Sequence, residues 1–340
     1  MHCTETELAA LKSRLASARH VAIFTHQRPD PDALGSQAAM GQIIRKLQPH
    51  NPPSVSLMHF AEPPRQYAFL QDGLTAINQT MFTPAWASGA GATIDTIVVV
   101  DTCTYNQLEP AREYLKQHHD RIAALDHHLT RDHLGPVMCI DTLAAACVEI
   151  IWRFAKYSGV AMDQDVALPL MAGLVGDTGW FRFDSVRAET HLMAADLTPH
   201  VNVNALYERL MQNETKPKLA LMRAALDSLV FACDDTFALM SLTQRDFSDN
   251  GAAQSQTEYL VDMPMIVGTT NVVALLSETP EGKVRASLRS KRDVDVNAVC
   301  KRFGGGGHAR ASGCRFDVPL AEAREKLIAA VAEEIQKHKR

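Results

Sequence analysis

Four stretches of this 340-residue chain place oxygen and imidazole donors where short apolar runs end. THQRPDPDALGS sets His26, Asp30 and Asp32 in an HxxxDxD spacing on the loop that follows VAIFTH (21–26). TIVVVD (96–101) ends in Asp101, and RIAALD (121–126) ends in Asp126, with His127 and His128 directly after it. GLVGDTGWF holds Asp177 in a glycine-flanked turn after an apolar helix. A loop can turn several side chains to one point, whereas a strand sends neighbours to opposite faces. One such aspartate alone reads as a helix cap or turn former; four segments in series read as a ligand set. Carboxylates and imidazoles without a thiol suit divalent ions such as Mn²⁺ or Mg²⁺ better than a thiolate zinc site. So many carboxylates at one edge repel unless cations offset them, and two ions fit better than one. His118 and His119, late in a polar helical pattern, read by contrast as solvated, and Cys103 as a packing cysteine.

The elements that must position these donors alternate. VAIFTH, SVSLMHF (54–60), TIVVVD and RIAALD read as buried strands, separated by helical patterns at 32–47 and 108–120. Such alternation predicts an α/β fold with a mainly parallel sheet flanked by helices, and open sheets of that kind bind ligands at the C-terminal ends of their strands. His26, Asp101 and Asp126 are expected to meet there. A helical stretch from Arg187 to Leu229, interrupted near Pro199 and Pro217, leads to a second strand-rich region at 237–242, 271–278 and 283–290. The expected organisation is a catalytic domain over 1–195, a helical linker over 196–215 and a smaller α/β domain over 216–340.

The composition is that of a globular protein, 46% hydrophobic and 21% charged. No apolar run is long enough for a membrane span, and the N-terminal segment reads as an amphipathic helix capped by Thr4 and Glu7 rather than a leader. Seven cysteines without a CxxC pair suit a reducing compartment, so a cytoplasmic location with no membrane partner is expected. The net charge of -5 does not mark a binder of long nucleic acid, yet residues 283–315 carry nine Lys or Arg against two Asp.

HQRPDPDALGS, VVVDT, DHH, GDTGWF and GGGGH, in this order, resemble the DHH/DHHA1 phosphoesterase superfamily over nearly the whole chain. The segment VRASLRSKRDVDVNAVCKRFGGGGHARASG is most similar to the nano-RNase type, the bifunctional oligoribonucleases and 3'-phosphoadenosine-5'-phosphate (pAp) phosphatases. The resemblance implies an N-terminal DHH domain, a C-terminal DHHA1 domain and an active site in the cleft between them. It implies one ion on His26 and Asp30, a second on Asp32, His127 and Asp177, and Asp101 bridging both. His128 would face the scissile phosphate and Asp126 would orient its neighbours. Two divalent ions, Mn²⁺ foremost with Mg²⁺ or Co²⁺ as substitutes, would activate water for in-line attack on phosphorus.

The second domain is expected to grip the substrate. In the run Gly304 to Gly307, glycines such as Gly305, Gly306 and Gly307 let the backbone approach an anion, which His308 can also contact. Arg289 can fork onto a phosphate or stack on a base, with Ser287 and Arg310 as further candidates. The chain departs from its relatives at Ala146 and Cys147, where many carry Ser or Thr, and at Pro31, where glycine is common.

The expected activity is hydrolysis of short oligoribonucleotides, including linear pApA and pGpG, to mononucleotides, and of pAp to AMP, by a possible homodimer. Three other readings compete. A RecJ-like single-strand DNA exonuclease would need a longer chain and an extended basic track. A family II pyrophosphatase leaves the GGGGH segment without a purpose. A non-catalytic nucleotide sensor would lack a ligand residue, and none is missing.

Overall fold

The computed structural model describes residues 3–338 apart from 75, 258, 292 and 293, so Arg292 and Asp293 of the basic segment lie outside the described residues. The chain divides into two compact units, Met1–Asn213 and Glu214–Arg340. The first carries strands β1 (His20–Phe24), β2 (Ser54–His59), β3 (Ile77–Met81), β4 (Thr96–Val100), β5 (Ile122–Asp126) and β6 (Val137–Ile140). Its helices are α1 (Glu5–Ala16), α2 (Pro31–Leu47), α3 (Pro84–Ser88), α4 (Arg112–Gln117), α5 (Cys147–Ser158), α6 (Gln164–Asp177), α7 (Ala188–Leu197) and α8 (Val203–Met211).

The six strands form one sheet in the order β3-β2-β1-β4-β5-β6, every pair parallel. The chain builds outward from β1 to β3, then crosses to β4 and builds the other way. The loops after β1 and β4 therefore diverge, which leaves a crevice at the C-terminal ends of these two strands. Each face of the sheet is buried in its own core, around Ile23, Leu34 and Phe154 on one side and Phe24, Ile97 and Val99 on the other. Burial on both faces is why these strands read as continuous apolar runs.

Helix α2 passes through the larger core. Residues 32–44 are buried without a break, so a charged side chain there needs a polar partner. His26 stays on the loop, as expected, and the two aspartates sit at the start of this helix: Asp30 is the N-cap, accepting the Ala33 N–H at 3.0 Å, and Asp32 lies in the first turn. Pro31 occupies the first helical position, where a missing N–H costs nothing. Asp177 likewise ends α6 rather than occupying a turn after it. The helix expected over 108–120 is broken, because Pro110 starts a 3₁₀ turn at Glu109–Ala111 ahead of the short α4.

The second unit carries β7 (Val230–Ala232), β8 (Phe237–Leu242), β9 (Val272–Glu278), β10 (Val284–Ser290), β11 (Gly306–His308) and β12 (Ala311–Phe316). Its helices are α9 (Lys216–Asp227), α10 (Gln244–Asn250), α11 (Val296–Lys301) and α12 (Leu320–His338). Its sheet runs β11-β12-β10-β9-β8-β7 and is antiparallel except for the β8–β9 pair. Among the described residues, no helix is long and apolar enough to cross a membrane.

Candidate metal centre

The six donors of the first unit converge. His26, Asp30 and Asp101 form one group, and Asp32, His127 and Asp177 another, the ligand atoms of each lying within 4.8 Å of one another. Asp101 faces both. Its Oδ2 is 3.3 Å from Nε2 of His26, and its Oδ1 is 3.5 Å from Nε2 of His127. His127 Nε2 is also 3.2 Å from Asp177 Oδ2 and 3.9 Å from Asp32 Oδ2. Asp101 lies one residue past β4 with a left-handed backbone, φ 58°, a conformation that Asp tolerates better than most residues.

The electrostatics are those of carboxylates and imidazoles crowded together away from water. Burial and the charges of Asp101 and Asp177 push the Asp30 carboxyl up to about 6, and the same causes raise Asp32 well above its usual range. Burial would also raise Asp101, but its contacts with the imidazoles of His127 and His26 outweigh that and hold it at about 2. Burial lowers His127, and its contacts with Asp101 and Asp177 overcome this and carry it up to about 12. Asp101 Oδ1 and His127 Nε2 are nevertheless buried without a hydrogen-bond partner, a state that costs free energy unless another group completes it. Divalent ions on the two donor groups fit these orphaned atoms and the oxygen and nitrogen donor chemistry.

His128 lies within the same reach of Asp101 and His127, a third combination of donors, and Asp126 stands behind it. Asp126 is fully buried, and its Oδ1 accepts from Nδ1 of His128 at 2.7 Å and from the His128 N–H at 3.2 Å. The contact with Asp126 raises the pKa of His128, against a smaller lowering by burial. The His128 ring is 47% exposed, with Nδ1 3.9 Å from Asp101 Oδ1, so it is the donor of this cluster most open to solvent. Cys103 is buried, and burial raises its thiol far above neutral pH.

Sequence reasoning missed what aims Asp32. The N-cap of helix α5 is Ala146, which has no side chain able to cap it. Its first amides turn instead to α2: Asp32 Oδ2 accepts the Cys147 N–H at 2.6 Å and Oδ1 accepts the Val148 N–H at 3.1 Å. With no cap from Ala146, these amides are held by a carboxylate that is itself a candidate ligand. The uncapped apolar start of α5 was the available signal. Gly173 of α6 makes room for this contact, since a Cβ there would lie 2.8 Å from Asp32 Oδ1 and 2.7 Å from Val148. Gly173→Ala is expected to destabilise the fold by about 1–3 kcal/mol and to weaken metal binding on the order of tenfold, read by thermal unfolding and Mn²⁺ titration.

In the second unit, Arg285, Ser287 and Arg289 alternate with the buried Val284, Ala286 and Leu288 along β10, and so share the face away from that core. Register places Arg289 opposite Ala311, which pairs with His308, and Ser287 opposite Gly313, which pairs with Gly306. Two rows thus run across three strands, with only the small residues Ala311 and Gly313 between the polar ends. Gly305 and Gly307 hold the hairpin close: a Cβ would lie 2.3 Å from the Gly313 carbonyl oxygen at Gly305 and 2.6 Å from that of Ala311 at Gly307. Arg310 is in the turn between β11 and β12, where its carbonyl accepts the Ser290 N–H at 3.1 Å. Asp262, absent from the sequence reading, lies 3.9 Å from Nε of Arg289.

A parallel sheet with acidic and imidazole donors at its switch point, followed by an α/β unit with a glycine-lined strip, defines a class. Residues 20–174 match the DHH family, N-terminal domain, and residues 240–337 match the DHHA1 domain, about three quarters of the chain between them. The chain belongs to the DHH family, in the branch that carries a DHHA1 domain. It is 27% identical over 315 residues, 92% of its own length and 89% of the relative's, to the bifunctional oligoribonuclease and PAP phosphatase NrnA of Thermus thermophilus. In fold it is similar to the crystal structure of an exopolyphosphatase-related protein from Bacteroides fragilis, with a TM-score of 0.85, 20% identity and coverage of 99% and 98% of the two chains. A more distant likeness is to RecJ from Thermus thermophilus in complex with Mn²⁺, with a TM-score of 0.53 and 14% identity; 96% of this chain matches 54% of that one.

Proposed function

We propose that the protein is a divalent-metal-dependent phosphoesterase that hydrolyses short oligoribonucleotides to mononucleotides and pAp to AMP. The observation that carries this reading is Asp101, whose two oxygens face the histidines of two separate donor groups. In this reading His26, Asp30 and Asp101 hold one ion, and Asp101, Asp32, His127 and Asp177 hold the other. Two such ions supply positive charge for the phosphoryl oxygens and a water of lowered pKa. His128 presents Nε2 of its half-exposed ring to a phosphoryl oxygen, while Asp126 keeps the proton on Nδ1. No side chain has to act as nucleophile. The chemistry belongs to residues 1–195 and the anion grip of Ser287, Arg289, Gly306 and His308 to residues 216–340. The name of the Thermus relative and the Mn²⁺ complex of RecJ support the substrate class and the choice of Mn²⁺. A homodimer belongs to the same proposal and is read by sedimentation.

The test is a time course with Mn²⁺ and an EDTA control, offering an RNA dinucleotide, an RNA of about five nucleotides, pAp and a long single-stranded DNA. Release of mononucleotide from the short RNAs is expected, and preferential loss of the long DNA would overturn the reading for a RecJ-like one. Mn²⁺ affinity is expected to rise between pH 6 and pH 8. In the metal-free protein His127, at about 12, and Asp30, at about 6, hold protons at pH 6 that an ion must displace. Calorimetry in buffers of different ionisation enthalpy reads the protons released.

A further inference from the structure

Glu149 is a carboxylate sealed inside the first unit, 0% exposed, in the first turn of α5. It belongs to neither donor group. Its Oε2 accepts the N–H of Ala145 at 2.9 Å and lies 3.4 Å from the Thr190 hydroxyl, and its Oε1 meets Nη2 of Arg187 at 3.1 Å. Arg187 is the N-cap of α7, and its own N–H donates to the Thr190 hydroxyl at 3.1 Å. The charges continue outward from Arg187 to Glu189, from Glu189 to Arg153 at 3.3 Å, and from Arg153 to Asp141 at 2.6 Å. Asp141 accepts the Leu143 N–H at 2.9 Å. Segment 141–148 is thus held by a carboxylate near each end.

That segment orients candidate ligands. The Ala144 carbonyl lies 3.2 Å from Nδ1 of His127, and the amides of Cys147 and Val148 hold Asp32. Fixing the outer nitrogen of a ligand histidine sets its tautomer and ring direction. Helix α7 also touches the turn that follows the third ligand, since His191 stacks with centroids 5.4 Å apart on Phe181, in the left-handed run 179–181 two residues past Asp177. A buried ion pair adds little net stability over apolar side chains of the same volume, so stability alone does not account for Glu149.

We propose that Glu149, set by Arg187 and Thr190, is a positioning residue for the Asp32–His127–Asp177 ion site. It acts by holding the Ala145 N–H, and with it the carbonyl and amides that aim His127 and Asp32. The proposal rests on the metal-centre reading above. Its test is Mn²⁺ titration of the full-length, EDTA-stripped protein by calorimetry, with the thermal midpoint of each metal-free variant measured in parallel. Glu149→Met/Arg187→Met removes the charge pair and the acceptor together, whereas Glu149→Gln/Arg187→Met removes the charges and keeps a carbonyl for Ala145.

The first variant is expected to bind one of its two ions about 10–100-fold more weakly, and the second to stay close to the parent, with similar midpoints for both. Thr190→Val, close in shape but without the hydroxyl, is expected to weaken the same ion by a smaller factor, with its own thermal midpoint measured alongside. Unchanged affinity in the Met/Met and Val variants would overturn the proposal, as would equal weakening in the two double variants. A parent that takes up no Mn²⁺ would instead overturn the metal-centre reading itself.

Discussion

Asp101→Asn is expected to lower turnover of short RNA on the order of 10³-fold, because in the two-ion reading proposed above Asp101 is the shared ligand, its loss removes several kcal/mol of charge stabilisation, and each 1.36 kcal/mol is tenfold. Asn is the informative replacement. Residue 101 has φ 58°, and Asn accepts a left-handed backbone where Ala would add strain to the loss of the ligand. The variant should fold, since the histidines at 26 and 127 can give up the protons that Asp101 now helps to retain. Circular dichroism checks the fold, and calorimetry should find fewer than two Mn²⁺ per chain. Near-normal turnover would end the two-ion assignment.

Arg289→Ala is expected to raise KM for pAp and for an RNA dinucleotide about 10–100-fold, the worth of a charge-assisted hydrogen bond of ~1.5–3 kcal/mol. The kcat/KM for bis-p-nitrophenyl phosphate should stay near the parent value, because that small diester needs the ions but not the nucleotide grip. Arg289→Lys should recover only part of the loss, since an ammonium lacks the planar fork. Equal losses on nucleotide and generic diester would mean that Arg289 supports the fold and not the substrate. Asp262 would then be its working partner, 3.9 Å away.

The strands that carry the donors were legible because parallel strands buried on both faces are unbroken apolar runs, as β1, β4 and β5 are. The exposed edge strands β3 and β11 lack that signature. β3, INQTM, buries only its first residue fully and offers no period, and β11, made of two glycines and a histidine, is exposed throughout. The donors themselves could be picked out by residue type at strand ends, while their grouping around Asp101 came from resemblance and needed the folded backbone to be seen. Glu149 shows the limit. In TLAAACVEII it reads as an ordinary helical glutamate, and only contacts with residues 187 and 190, some forty positions on, reveal a buried anion. Asp32 as the cap of a helix 115 residues away is illegible for the same reason.

The burial of α2 bears on how the chain is made. Its residues 32–44 end up shut from solvent, in part against α6, where Gly35 leaves room for the carbonyl of Pro169. A ribosome adding about 5–20 residues per second makes that cover on the order of ten seconds after α2 has emerged. Strands β1 and β2 can already flank the helix in that interval, but its α6 side stays open, and Asp32 has no α5 amide to accept from until residues 147 and 148 follow. The last of the six candidate ligands, Asp177, joins the others only when residue 177 has left the exit tunnel.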